Sequence, residues 1–369
     1  MIYLDNSATS RFKPKKAAAL LKRYYTCSAN AGRASHKEAV RTALAIETAR
    51  QTLSDAVGGK NIVFTKNCTE ALNLALFGLN LKGEVLVSPM SHNSALRPLK
   101  QLELAGKITM RILPSPLHEP VDYAAYLTPK TALVTVPHIS NVTGSVENLS
   151  ELFKTAKRLG VPTLVDCAQS AGYLDISGLD ADIIASAGHK GLHGPQGTGF
   201  LAYRTGIRLN PILYGGTGTT TMSLIQSSEA PETYEAGTQN AAAIIALGVA
   251  AEWSLKNMKR NSERLIRLSE RTFRELKKIK NVTVYSPSYS PAGIVTFNIE
   301  GLNSADVAFI LDKEFGIEVR GGLHCAPLAH RALGTASVGA VRVSFGCESS
   351  DSDAAHLVYA VKRITEKSL

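Results

Sequence analysis

The sequence predicts an α/β protein, with a large domain built on a mostly parallel sheet, helices on both of its faces, and a smaller α+β domain beside it. Two observations carry that expectation. Between residue 35 and about residue 203, short apolar runs alternate with stretches of helical periodicity, as repeated strand–helix units do. Beyond Gly237 the alternation stops, and one long helical region precedes shorter strands set between two helices. A chain of 369 residues can fill two cores. We expect residues 14–250 to form the large domain, and 1–13 with 251–369 the small one.

Taken in order, residues 1–13 read as a lead-in strand and loop. Ser35-His-Lys-Glu38 has capping-box spacing, and apolar periodicity follows to Val57, ending at Gly58-Gly59. Ile62-Val-Phe-Thr65 reads as a strand, and Asn67-Cys-Thr-Glu70 opens a helix to about Leu79. That junction aims free backbone N–H groups at one point, which makes it an anion site. Strands follow at 84–88, 108–113, 131–137, 161–166, 182–187 and 198–203, with helices near 93–105 and 148–159. A long helix is expected over roughly 239–279. Strands at 282–285, 292–299, 317–320 and 340–345 and helices near 303–315 and 351–365 complete the chain.

Composition narrows the function classes. The hydrophobic fraction is 44% and the charged fraction 20%, as in ordinary globular proteins. No apolar run approaches the ~20 residues of a membrane helix. The N-terminus opens into strand-like Ile2-Tyr-Leu4 rather than a signal peptide, so no membrane association is expected. Cys27, Cys68, Cys167, Cys325 and Cys347 are scattered without CxxC or zinc spacing, which suits free thiols in a reducing cytoplasm. His324, Cys325 and His330 lack a second ligand pair, so no metal site is expected. No P-loop occurs and no GxGxxG follows a strand. The net charge of +10 is uneven, with ten Lys or Arg against three Glu between Leu255 and Lys280. Met258, Leu265, Leu268, Phe273, Leu276 and Ile279 recur there at helical spacing. The simplest reading is an amphipathic helix with a solvated basic face. Docking of nucleic acid is not expected, because the aromatic interleaving of single-strand binders is missing.

The chemistry centres on Ala185–Gly199. Five glycines fall within the twelve residues after Ala187, between two strand-like runs, and one flanks each side of His189-Lys190. Such a turn brings backbone close to a ligand, and a desolvated lysine there suits a Schiff-base amine. Upstream, the apolar run Val161–Val165 ends in Asp166, at a strand's carboxyl end, where open α/β sheets bind ligands. Pyridoxal phosphate needs both residue types: a lysine to bind its aldehyde, and a carboxylate to keep its ring nitrogen protonated.

Tyr3-Leu-Asp-Asn-Ser-Ala-Thr9, Val165-Asp-Cys-Ala-Gln-Ser170, Gly188-His-Lys190 and Arg320-Gly-Gly-Leu-His-Cys-Ala-Pro327 resemble the class V aminotransferases, and within them the cysteine desulfurases. The resemblance runs from residue 2 to about residue 347. It implies the aspartate aminotransferase-like fold of pyridoxal-phosphate-dependent transferases, and a cytoplasmic homodimer with shared active sites. It also implies sulfur transfer from L-cysteine, through a persulfide, to a sulfur-acceptor protein, with L-alanine as co-product. By this resemblance Lys190 holds the cofactor and acts as base, Asp166 meets the ring nitrogen and Gln169 the ring hydroxyl. His92 stacks on the ring and shuttles a proton, and Asn141 lies near the ring hydroxyl and the substrate carboxylate. The phosphate falls to Thr69, its helix N-terminus and His189, and Thr238 is donated by the partner subunit. Cys68 and Ala187 stand where the family often has threonine and serine, so two hydroxyl donors are replaced, with Ser186 or the 217–221 loop as substitutes. Arg342, flanked by alternating apolar residues, needs a bidentate partner, and the resemblance makes that partner the substrate carboxylate. Cys325, in a basic glycine-rich loop, is implied to receive the sulfur. Only 17 positions separate it from Arg342, as in the SUF-type group with its short loop. The rival enzyme readings are a selenocysteine lyase acting on L-selenocysteine, or another class V lyase or aminotransferase. The rival outside enzymes is a basic binding protein that has lost catalysis.

Overall fold

Five of the helices begin where a polar side chain takes up a free N–H, and strands follow the apolar runs. The computed structural model describes residues 1–31, 35–115, 121–216 and 222–367. The first half runs β1 (Ile2–Tyr3), α1 (Lys15–Thr26), α2 (Lys37–Ala56), β2 (Asn61–Thr65), α3 (Cys68–Gly78), β3 (Gly83–Val87), α4 (Asn93–Leu104), β4 (Ile108–Ile112), β5 (Thr131–Pro137), α5 (Ser150–Leu159) and β6 (Thr163–Asp166). The second runs β7 (Ile183–Ala187), β8 (Gly199–Tyr203), α6 (Ala241–Leu276), β9 (Val282–Val284), β10 (Ile294–Ile299), α7 (Ser304–Phe315), β11 (Ile317–Glu318), α8 (Pro327–Ala332), β12 (Val341–Ser344) and α9 (Asp351–Lys367).

Seven strands form one sheet in the order β2-β8-β7-β6-β5-β3-β4. Only β8 runs against its neighbours; the β3–β4, β3–β5, β5–β6 and β6–β7 pairings are parallel. Buried apolar side chains lie on both faces. Val63, Val85, Leu133, Leu164 and Ile183 meet α3 and α4 on one side, while Ile62, Leu86, Val134, Val165 and Ile184 meet α2, α5 and the start of α6 on the other. This two-sided burial explains the continuous apolar runs. The order β12-β10-β9 makes a three-stranded antiparallel sheet, and β11 pairs in parallel with β1. A third cluster, including Leu265, Leu268, Phe297, Leu311, Val343 and Leu357, packs these against α6, α7 and α9. Among the described residues, no helix is long and apolar enough to cross a membrane.

Several local expectations change. The α2 cap is His36 rather than Ser35, its Nδ1 accepting Ala39 N–H at 3.4 Å. Helix α1 was not anticipated; Pro14 precedes it, and its Ala17 and Tyr24 are buried, with α6 packed alongside. The 317–320 strand shortens to two residues, because Arg320 leaves β1 to bridge Arg342 instead. The expected boundary near residue 250 falls inside the continuous 36-residue α6. The basic face of that helix is partly tied down: Asp351 pairs with Arg267 and Arg271, and Glu275 with Arg274 and Lys278.

Candidate active site

Parallel strands β2, β3, β5, β6 and β7 end along one edge of the sheet, and the segments that follow them carry the polar residues. Asp166 is the last residue of β6, in register with Pro137 on one side and Ala185 on the other. Lys190 follows β7 by three residues. Burial lowers the pKa of its amine; Asp166 and Cys68 oppose that shift, while Arg342 and Arg320 reinforce it. These charged groups therefore lie near one another although their positions span residues 68–342. His92 belongs to the same set, its pKa lowered to about 4, first by burial and then by Lys190. Its Nδ1 accepts Ser94 N–H at 3.1 Å and lies 2.6 Å from Ser94 Oγ. The neutral ring thus carries its proton on Nε2.

Asp166 Oδ1 accepts Ala168 N–H at 2.9 Å and faces Cys68 Sγ at 3.6 Å. Cys68 is buried, and burial beside Asp166 pushes its pKa well up, so it is a neutral thiol that donates to the carboxylate. Gln169 Nε2 donates to the Ser7 carbonyl at 3.0 Å, leaving its Oε1 buried without a partner among the described residues. His189 Nδ1 is likewise buried and unpartnered. Its carbonyl accepts Ser10 Oγ at 3.0 Å and Lys13 Nζ at 3.2 Å. At the start of α3, Asn67 caps Glu70 N–H at 2.9 Å, and exposed Thr69 sits in the first turn. Ser186 is fully buried and turned to the Cys167 carbonyl at 3.3 Å, so it does not stand in for the missing hydroxyl at Ala187. The 217–221 loop lies outside the described residues. Thr238 is exposed and lines a cavity of about 280 Å³ with Thr65, Lys66 and Gly197.

Arg342 is 2% exposed on β12. Its Nη2 pairs with Asp5 at 2.8 Å and its Nη1 donates to the Asn141 carbonyl at 3.0 Å, while Nε has no partner among the described residues. The protein thus offers this guanidinium one carboxylate oxygen, not the two-pronged clasp expected of its partner. Asn141 Nδ2 donates to the His324 carbonyl at 2.8 Å, and Asn93 N–H to the Cys325 carbonyl at 2.7 Å. These bonds tie the cysteine loop to the loops after β5 and β3. Cys325 is exposed, its Sγ 3.9 Å from Arg320 Nη2.

A profile of the family described as aminotransferase class-V matches residues 2–357. The probable cysteine desulfurase of Methanothermobacter thermautotrophicus is 32% identical over 90% of this chain and 87% of its own. That of Halobacterium salinarum is 33% identical over 98% and 91%. The chain belongs to the cysteine desulfurase family of class V aminotransferases. Among solved structures, the apo cysteine desulfurase of Thermococcus onnurineus superposes with a TM-score of 0.92 at 32% identity, covering 99% of this chain and 95% of the other. The Escherichia coli cysteine desulfurase CsdA superposes with a TM-score of 0.88 at 28% identity, covering 99% and 94%.

Sequence reasoning missed two features of this desulfurase-family site. Glu235 forms a forked pair with Arg50, at 2.7 and 3.0 Å, accepts Phe64 N–H at 2.7 Å and takes Gln239 Nε2. This node anchors the segment bearing Thr238 to β2. Glu235 stands three residues before Thr238, yet nothing in its local pattern announces Arg50. The second feature is the pair His324 and His330, weighed from sequence only as metal ligands. The two rings hydrogen-bond each other, with His324 Nδ1 3.2 Å from His330 Nε2.

Proposed function

We propose that this chain is a pyridoxal-phosphate-dependent cysteine desulfurase, turning L-cysteine into L-alanine and leaving the sulfur on Cys325. The observation that supports this reading is an exposed cysteine on a loop that Asn141 ties to Arg342, whose charge acts on Lys190 together with that of Asp166. The cofactor fits the groups present. Lys190 supplies an amine whose charge burial disfavours. With Oδ1 occupied by two donors, Asp166 would have Oδ2 to offer a ring nitrogen, and the orphaned Gln169 Oε1 would suit the ring hydroxyl. The α3 N-terminus with Thr69 and His189 suits the phosphate. When bound, the cofactor withdraws electrons from the substrate Cα.

The chain's own residues do the rest. Arg342 exchanges its contact with Asp5 for the substrate carboxylate, and its planar fork gains a second hydrogen bond by doing so. Lys190 takes the Cα proton at Nζ. His92, neutral with its proton on Nε2, would stack on the bound cofactor and donate that proton. The Cys325 sulfur attacks the substrate Sγ, an S–S bond forms on the enzyme as the Cβ–S bond breaks and leaves its electron pair on Cβ, and alanine leaves once Cβ is protonated and Lys190 Nζ returns a proton to Cα. Arg320 lies where it can hold negative charge on the attacking sulfur. A sulfur-acceptor protein then takes the persulfide. In this reading exposed Thr238 completes the phosphate site of a second copy, making a homodimer. The five free thiols suit a cytoplasmic setting. Mass analysis of Cys325 after incubation with L-cysteine tests the proposal: one added sulfur with equimolar alanine is expected, and alanine without sulfur on Cys325 overturns it.

A further inference from the structure

His324 and Cys325 are consecutive non-glycine residues in the left-handed region, with φ of 48° and 56°. L-residues rarely hold that conformation, and two in a row need surrounding structure to impose it. The Asn141 side-chain amide takes up the His324 carbonyl, and the Asn93 main-chain N–H takes up that of Cys325. The other restraint is a buried chain of side-chain hydrogen bonds. His324 Nε2 lies 3.2 Å from the Arg320 carbonyl, His324 Nδ1 3.2 Å from His330 Nε2, and His330 Nδ1 2.8 Å from Thr335 Oγ1. A carbonyl can only accept, so His324 carries its proton on Nε2 and its Nδ1 must accept. His330 then carries its proton on Nε2, and its Nδ1 accepts the Thr335 hydroxyl. Every proton in the relay is thus assigned by one fixed carbonyl. His330 and Thr335 are 0% and 2% exposed, so no solvent substitutes for a lost partner. Burial lowers the pKa values of His324 and His330 to about 3 and about 4, so both rings stay neutral at working pH.

We infer that His330 is a positioning residue for Cys325: from α8 it fixes the tautomer and rotamer of His324, and through them the loop that presents the sulfur. This rests on the desulfurase reading above. Without a donor from His330, His324 Nδ1 is left buried and unpaired. The ring then flips or moves, and the link to Arg320 is lost. The loop is freed from its left-handed turn, and Sγ leaves its attack position.

The test uses the cofactor-loaded enzyme with His330→Leu, His330→Gln and Thr335→Val. Glutamine keeps an amide donor where the imidazole Nε2–H stood. Single-turnover persulfide formation on Cys325 should fall roughly 10- to 100-fold in His330→Leu, with KM and cofactor absorbance unchanged. It should return to within a few-fold of the parent in His330→Gln. Hydrogen exchange over residues 321–326 should rise in His330→Leu and not in His330→Gln. Thr335→Val, a milder change should His330→Leu not fold, should fall between the two. A folded His330→Leu or Thr335→Val with the parent's persulfide rate and exchange overturns the inference, as does a His330→Gln as slow as His330→Leu. The exchange readout needs no L-cysteine. A parent enzyme that forms no persulfide would therefore sink the desulfurase reading and leave the positioning claim to be judged by exchange alone.

Discussion

Lys190 and Cys325 divide the chemistry between cofactor and sulfur, and their substitutions separate the two. Lys190→Ala should lose the visible absorbance of covalently held cofactor and lower turnover by about 10³-fold or more. Cys325→Ser should keep that absorbance and lose the persulfide; normal desulfuration by this variant would remove the nucleophile. Arg342→Lys keeps a charge beside Asp5 but loses the planar fork, so KM for L-cysteine should rise about tenfold or more. An unchanged KM would assign Arg342 to the internal ion pair alone. Lys190 and Asp166 were legible in the sequence because each sits in its own local signal, a glycine-rich turn and the end of an apolar run. His330 was not, since its partner is chosen by a left-handed loop that no spacing rule encodes. Arg342 was half legible: that it needed a partner followed from its strand, but Asp5 lies 337 residues away in sequence.

At the level of elements, the phosphate site depends on where α3 begins. Gly199 on β8 holds that start close, for a methyl group there would sit 2.5 Å from the Asn67 carbonyl carbon. Gly199→Ala should push the first turn of α3 outward and weaken cofactor binding about tenfold or more, measured by titration of the apoenzyme. Parent-like affinity would move the phosphate elsewhere. Strands of the large sheet were legible because parallel strands buried on both faces leave continuous apolar runs. Helix α1 was passed over although Ala17, Leu20, Leu21 and Tyr24 recur at helical spacing, with Lys15, Lys16, Lys22 and Arg23 exposed, and Pro14 offered a start signal. The Ser35 cap was misread by one residue because His36 supplies an acceptor nitrogen where serine was expected to supply oxygen.

For the molecule as a whole, burial sets the pH response. His92, His138, His189, His193, His324 and His330 all have pKa values lowered to about 3 or 4. Between about pH 4 and 6.5 the unfolded chain binds protons that the folded one refuses, so stability falls as pH drops through that window. Glu147 works in the opposite sense, its pKa pushed up to about 7 by burial, with stability lost as pH rises from about 4.5 through about 7. Six groups outweigh one. Unfolding near pH 5 should take up on the order of four protons, measurable by calorimetry in buffers of different ionisation enthalpy. Proton release instead would mean these imidazoles are charged in the native protein. Glu147→Gln should stabilise the protein at pH 8 by roughly 3 kcal/mol and have little effect at pH 4; equal effects at both would place its carboxylate in water. The remaining consequence belongs to α6. Its first half, with Ile244, Leu247 and Ala251, is built into the core under the seven-stranded sheet, and its second, with Leu265, Leu268 and Leu276, into the core beside β10. A rod of about 54 Å driven through both leaves the molecule no waist at which to bend. Admission of amino acid and escape of alanine must then be governed by the short segments at the rim rather than by two halves swinging apart.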